Sequence, residues 1–130
     1  MFFTLHILLM AIFFPGIIFG VTIAMFFRKK KNWLKIHKTV NSSSLGGIAA
    51  GIIMAFIYIS GSSGKHLSGL HQIAGLTFFI LAFITALIGF YQLKAKNKPA
   101  LRTAHRWLGR FSLLMSLAAV ILGLKLINVI

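Results

Sequence analysis

Long runs without Lys, Arg, Asp or Glu dominate this sequence and limit the folds available to it. They cover residues 1–27, 39–64 and 66–93. A helix needs about 20 apolar residues to cross a bilayer core, so each run predicts one transmembrane helix. A fourth span is predicted at about residues 105–130, with Arg110 and Lys125 reaching the two interfaces. We therefore expect an all-α membrane protein, in which residues 1–130 form one domain, an up-and-down bundle of four transmembrane helices.

The residue types that are absent exclude several kinds of site. The chain has no cysteine, which excludes disulfides, iron–sulfur clusters, thiolate zinc sites and covalently attached c-type haem. It also has no Asp or Glu, which excludes carboxylate acid–base pairs and calcium or magnesium cages. The formal charge of +14 would suggest nucleic acid for a soluble protein, but in this membrane chain we expect no nucleic-acid partner.

The positions of the basic residues predict the orientation of the helices. Twelve of the 14 fall in the two loops that join the first helix to the second and the third to the fourth. The positive-inside rule makes these loops cytoplasmic and both termini external, with residues 61–64 as an external turn. We expect the inner membrane of a bacterium, with anionic lipid head groups as partners of the basic loops. The twelve residues are Arg28, Lys29, Lys30, Lys31, Lys35, Lys38, Lys94, Lys96, Lys98, Arg102, Arg106 and Arg110.

Four of the five histidines recur at regular intervals. The interval from His37 to His71 equals that from His71 to His105, and the interval from His6 to His37 is only slightly shorter. Each predicted helix therefore carries one histidine near its N-terminal end. Because successive helices alternate in direction, the first and third histidines should lie near the outer face and the other two near the cytoplasmic face. Ionisable residues inside a membrane are functional candidates by default.

Histidines at matched depths predict two haems. In an up-and-down bundle, helices one and three are diagonal partners, as are helices two and four. Their axes should lie roughly 12–14 Å apart, which leaves room for two imidazoles to bind one iron from opposite sides. We predict that His6 and His71 hold an outer b-type haem and that His37 and His105 hold an inner one. Five cations of the basic loops would then meet the haem propionates: Lys35, Lys38, Arg102, Arg106 and Arg110.

Other interpretations of the histidines remain open. Each could lie at the interface or bond a backbone carbonyl. Zinc or copper is less favoured, because two histidines per side are fewer ligands than a structural zinc site needs. His66 lies shortly before His71 on a different face of any helix that includes both, so it cannot share the iron of His71. It is either a loop histidine or a proton or substrate contact beside the outer haem.

Glycines fall at related positions in this pattern. His71-x-x-x-Gly75 and His105-x-x-x-Gly109 place a glycine one turn after each histidine, where it would leave room for a flat macrocycle. Gly89 and Gly123 follow the same two histidines at a second shared interval, about five helical turns. Small residues in the first two helices should allow close helix packing: Gly16, Gly20, Gly46, Gly47, Ala50 and Gly51.

These residues give the chain a resemblance to the four-helix core of the cytochrome b561 family, including the form that follows DOMON domains. The resemblance spans nearly the whole chain. It rests on His6-Ile-Leu-Leu-Met10 with Pro15-Gly16, Trp33-x-x-x-His37 with Asn41, His71-x-x-x-Gly75 with Tyr91-Gln92, and His105-Arg-Trp-Leu-Gly-Arg110. It implies a transmembrane di-haem electron carrier, with helix one paired to three and helix two to four.

The resemblance also implies partners. Family members often take electrons from ascorbate and reduce ferric chelates or monodehydroascorbate, and Lys35, Lys38 and Arg106 occupy a region comparable to the donor site. We expect none of the flanking helices of the eukaryotic reductases, so a quinol or a redox partner protein is an equal candidate as donor. A haem-bearing anchor subunit of another oxidoreductase and a haem-free transporter or assembly factor are the alternatives. A homodimer is also left open.

Overall fold

The computed structural model describes residues 1–62 and 64–130, and within them it contains four helices and no strand. These are α1 (Phe2–Phe26), α2 (Trp33–Gly61), α3 (Leu70–Tyr91) and α4 (Lys98–Leu126). Each is long and apolar enough to cross a membrane. The prediction of an all-α chain with four membrane-spanning helices is confirmed.

Two helices begin earlier than the apolar runs indicated. Helix α4 begins at Lys98 rather than near His105, and α2 begins at Trp33, before the uncharged run that starts at residue 39. Hydropathy detects only the part of a helix that hydrocarbon can surround, whereas the backbone hydrogen bonds continue into the basic segments. Proline in the first turn of α4 suits its start, since the missing N–H there would have no helical partner.

The chain forms two compact units, Met1–Gly64 and Lys65–Ile130. The first is the antiparallel pair α1 and α2. A side chain added at Gly16 would meet Ser44, one at Gly47 would meet the Phe13 ring, and one at Gly51 would lie 2.9 Å from Met10 Cε. Most of the small residues that predicted close packing therefore lie at this interface, although the space beside Gly46 is open.

The second unit is the pair α3 and α4, and its interface also uses small side chains. Ala74, Ser112, Ser116 and Ala119 are buried together with Phe78. The Ser116 hydroxyl donates to Leu113 O of its own helix at 2.6 Å, so its burial leaves no unpaired hydroxyl. Close contact along this interface brings side chains of one helix up to the backbone of the other.

The segment between α2 and α3 contains part of the predicted external turn. Helix α2 ends at Gly61, as expected, and Ser63 lies outside the described residues. His66 precedes the start of α3 and is an exposed loop residue, in agreement with the simpler of its two interpretations. It is therefore not a member of the helical series formed by the other four histidines.

Candidate functional site: four histidines on two helix pairs

In the first unit, each helical histidine donates a hydrogen bond to the backbone of the paired helix. His6 Nδ1 lies 2.9 Å from Gly51 O, and His37 Nδ1 lies 2.8 Å from Gly20 O. Both acceptors are glycines, whose lack of a Cβ lets the two backbones come close. The imidazoles are half-buried and bridge α1 and α2.

The second unit repeats this arrangement with a different use of glycine. His71 Nδ1 lies 2.9 Å from Ala119 O, and His105 Nδ1 lies 2.8 Å from Thr85 O. In this unit the acceptors are not glycines, and a glycine lies one turn after each of them: Gly123 after Ala119 and Gly89 after Thr85. A Cβ on Gly123 would be 2.9 Å from His71 Cε1, and a Cβ on Gly89 would be 2.8 Å from His105 Cε1. Each of these glycines makes room for the imidazole of the opposite helix.

These bonds determine which nitrogen of each imidazole carries its proton. A carbonyl oxygen only accepts, so Nδ1 must be the N–H, and in the neutral ring the lone pair then lies on Nε2. Histidine ligands of metals commonly bond a carbonyl or carboxylate through their other nitrogen in this way, which fixes the ring and raises its basicity. All four histidines thus have the tautomer of an Nε2 ligand.

The two units space their histidines identically. Each helix carries one histidine and one carbonyl that accepts a bond from the histidine of the paired helix. The number of residues between these two positions is the same on all four helices. This stretch runs from His6 to Gly20 on α1 and from His37 to Gly51 on α2. On α3 and α4 it runs from His71 to Thr85 and from His105 to Ala119. At about 1.5 Å per residue, each helix pair holds its two imidazoles at levels about 21 Å apart along the helix axis.

The glycines one turn after the histidines of the second unit are open. Within the described residues, a Cβ on Gly75 would meet no atom within 4 Å, and one on Gly109 would meet only Thr85 Cγ2, at 3.7 Å. Open space beside both glycines agrees with what the His-x-x-x-Gly spacing predicted. The structure thus separates two kinds of glycine: Gly89 and Gly123 accommodate imidazoles, and Gly75 and Gly109 leave free surface beside them.

Of the five basic residues that were expected to meet propionates, four lie towards the loop end of their helix pair and Arg110 lies near the middle of α4; all five are exposed. Two are in the first two turns of α2 and three are on α4. The Arg110 guanidinium is also 5.0 Å from the centroid of the Trp107 ring, a cation–π distance. Each loop end therefore attracts anions. The five residues are Lys35, Lys38, Arg102, Arg106 and Arg110.

Sequence reasoning missed the partners that orient the histidines. The acceptors Gly20, Gly51, Thr85 and Ala119 contribute only backbone oxygens, which any residue has, so their identities carry little signal. Asn41 was noted only as part of a motif, but its Nδ2 lies 2.9 Å from His37 Nδ1. The shared interval that leads to Gly89 and Gly123 did mark positions in contact with imidazoles, although each glycine contacts the histidine of the other helix.

Comparison with known proteins supports the same family as the motifs. A family model described as eukaryotic cytochrome b561 matches residues 2–129. A search of curated proteins and a search of solved structures each gave no significant match. The family match spans all four helices and all four helical histidines. The chain therefore belongs to the cytochrome b561 family, whose members are integral membrane proteins that use b-type haem for transmembrane electron transfer.

Proposed function

We propose that this chain transfers electrons across the inner membrane of a bacterium through two bis-histidine b-type haems. His6 and His71 hold the outer haem, and His37 and His105 hold the inner one. The basic loops face the cytoplasm, where an ascorbate-like or quinol-like donor supplies electrons from the cytoplasm or the membrane. The acceptor on the outer side is a compound such as a ferric chelate.

The equal spacing of the histidines within each helix pair carries this proposal. Two imidazoles can share one iron only if they lie at the same depth, and two such pairings require the same separation on both units. The equal separation on all four helices meets that requirement. Within one antiparallel pair, equal spacing follows from the register alone, so the agreement between the two units is what supports the proposal.

The donor atoms and the open space also fit haem. Each Nδ1 is committed to a carbonyl, which leaves Nε2 as the ligating nitrogen, and Gly75 and Gly109 have no side chain of their own to occupy the space beside them. Bound haem supplies a one-electron ferric–ferrous couple. The histidines hold the iron, and five exposed cations of the basic segments can bind the propionate carboxylates. These cations are Lys35, Lys38, Arg102, Arg106 and Arg110.

A metal site built from side chains alone has less support. Among residues 1–62 and 64–130, no group of three or more His, Cys, Asp or Glu residues is placed to hold a metal ion. Structural zinc sites usually need about four such ligands. A haem iron needs only two axial ligands from the protein, so two histidines are enough for each haem.

Optical spectra of the purified protein test the cofactor. We expect a reduced-minus-oxidised spectrum with a b-type α band and two haems per chain by haem extraction. His71→Ala should remove one haem and His66→Ala neither, because His66 lies in the loop. Absence of the α band would reject the proposal in favour of a haem-free membrane protein.

Proteoliposomes test electron transfer across the bilayer and the identity of the donor. With a ferric chelate trapped inside and either ascorbate or a quinol added outside, we expect one donor to reduce the trapped iron, and His71→Ala to abolish this reduction. If the haems become reduced but the trapped chelate does not, the chain is better described as a haem-bearing anchor subunit that passes electrons to another protein.

A further inference from the structure

We propose that Asn41 is a positioning residue for His37 and that its carboxamide oxygen lowers the reduction potential of the haem held by that histidine. This inference rests on the proposed function, because it assumes that His37 is an iron ligand. It starts from the contacts of His37 Nδ1, which lies within hydrogen-bonding distance of the Asn41 side chain as well as of a backbone carbonyl.

The residue one turn after each helical histidine distinguishes the four positions. It is Met10 after His6, Asn41 after His37, Gly75 after His71 and Gly109 after His105. In the first unit, this residue covers the glycine whose carbonyl accepts the histidine bond. Met10 Cε would be 2.9 Å from a Cβ on Gly51, and Asn41 Cγ would be 2.7 Å from a Cβ on Gly20. Met10 and Asn41 therefore occupy equivalent places, and only Asn41 is polar.

The contacts of Asn41 determine how its amide must be oriented. His37 Nδ1 cannot donate to Gly20 O and at the same time accept from Asn41 Nδ2 at 2.9 Å. Within the described residues, Asn41 Oδ1 is buried and has no hydrogen-bond partner. Amide O and N atoms are assigned from their bonding network. Rotating the carboxamide by half a turn places Oδ1 at His37 Nδ1, where the N–H can be shared between two acceptors.

Iron ligation requires this rotated orientation. If Asn41 donated to Nδ1, the proton of a neutral imidazole would lie on Nε2, which could not then bind iron. The absence of a Cβ on Gly20 lets the carboxamide lie flat against α1, since an added Cβ would be 2.5 Å from Oδ1. Gly20 thus provides both an acceptor for His37 and the space for Asn41.

A second acceptor on Nδ1–H changes the electronic character of the ligand. It makes the imidazole more basic, and a more basic ligand stabilises ferric over ferrous iron. Met10, in the equivalent place beside Gly51, has a thioether where Asn41 has a carboxamide oxygen. The two helical histidines of the first unit therefore differ in what the residue one turn later offers them, although their backbone bonds are alike.

Redox titration of the full-length haem protein in lipid nanodiscs tests this assignment. Asn41→Met copies the packing of Met10 and should raise one midpoint potential, changing the ferric-to-ferrous ratio about three- to tenfold at the wild-type midpoint. Asn41→Asp provides a stronger acceptor and should lower the same midpoint. Met10→Asn is the reciprocal control and should leave that midpoint in place. A residue needed only for packing would not give shifts of opposite sign with Met and Asp.

The outcomes separate this inference from the proposed function. If the wild-type protein binds no haem, both are overturned. If haem is bound and Asn41→Met moves neither midpoint, or moves it in the same direction as Asn41→Asp, the role of Asn41 is overturned while the electron-transfer proposal stands. Nitrogen-15 NMR of histidine-labelled, haem-free protein adds a readout without haem. We expect Asn41→Met to change the Nδ1 resonance of one histidine, with Nδ1 still protonated; an unprotonated Nδ1 at His37 in the wild type would overturn the inference.

Discussion

Replacing Gly123 by alanine should displace His71 and release the haem that this histidine holds. The new Cβ would lie 2.9 Å from His71 Cε1 and 3.1 Å from Nδ1. Carbon atoms in contact normally lie about 3.5–4.0 Å apart, so the ring or the helix must move by roughly 0.6 Å or more. The 2.9 Å bond from His71 Nδ1 to Ala119 O would be strained by the same movement.

The expected loss of haem affinity in Gly123→Ala follows from two free-energy costs. Overfilling a packed site costs about 1–3 kcal/mol, and weakening one hydrogen bond adds about 1 kcal/mol. Together they oppose the ligating geometry by about 2–4 kcal/mol, which corresponds to a loss of haem affinity of roughly 30- to 1,000-fold.

The assay is the haem content of the purified variant, measured by haem extraction and by titration of the apoprotein with haem. We expect one haem to be lost or bound weakly and the other to be retained. Gly46→Ala is the matched control, because its Cβ would meet no atom within 4 Å in the described residues. Full haem content and unchanged affinity in Gly123→Ala would refute the close contact between His71 and α4.

Three further variants test other parts of the site. Gly89→Ala should weaken the haem held by His105, since its Cβ would be 2.8 Å from His105 Cε1; retention of that haem with unchanged affinity would contradict the contact. The double variant Lys35→Gln and Lys38→Gln should lower the midpoint potential of the inner haem, because nearby positive charge favours the less positive ferrous state. A rise of this midpoint potential would contradict the electrostatic reasoning, and Lys65→Gln, in the other loop, is the control. Gly47→Val should destabilise the first helix pair by about 1–3 kcal/mol, because its side chain would overlap the Phe13 ring; unchanged thermal unfolding in detergent would show that this interface is looser than described.

The sequence by itself determined the number of helices, their apolar centres and the histidines that are the candidate iron ligands. These follow from local properties: an uncharged run of sufficient length can only cross a membrane as a helix when its backbone must pair internally. The histidine spacing is equally local, since it is counted along the chain. The family also follows from sequence, because the motifs around His37 and His105 are specific.

Only the tertiary structure decided how each histidine is held. Which carbonyl meets Nδ1 depends on the register and rotation of two antiparallel helices, and this results from many small contacts such as Gly16 against Ser44. The same register assigns Gly123 to His71 and Gly89 to His105, although along the chain Gly89 follows His71 and Gly123 follows His105 at one shared interval. It also brings Asn41 between His37 and Gly20, a contact that no linear spacing could distinguish from the packing of Met10.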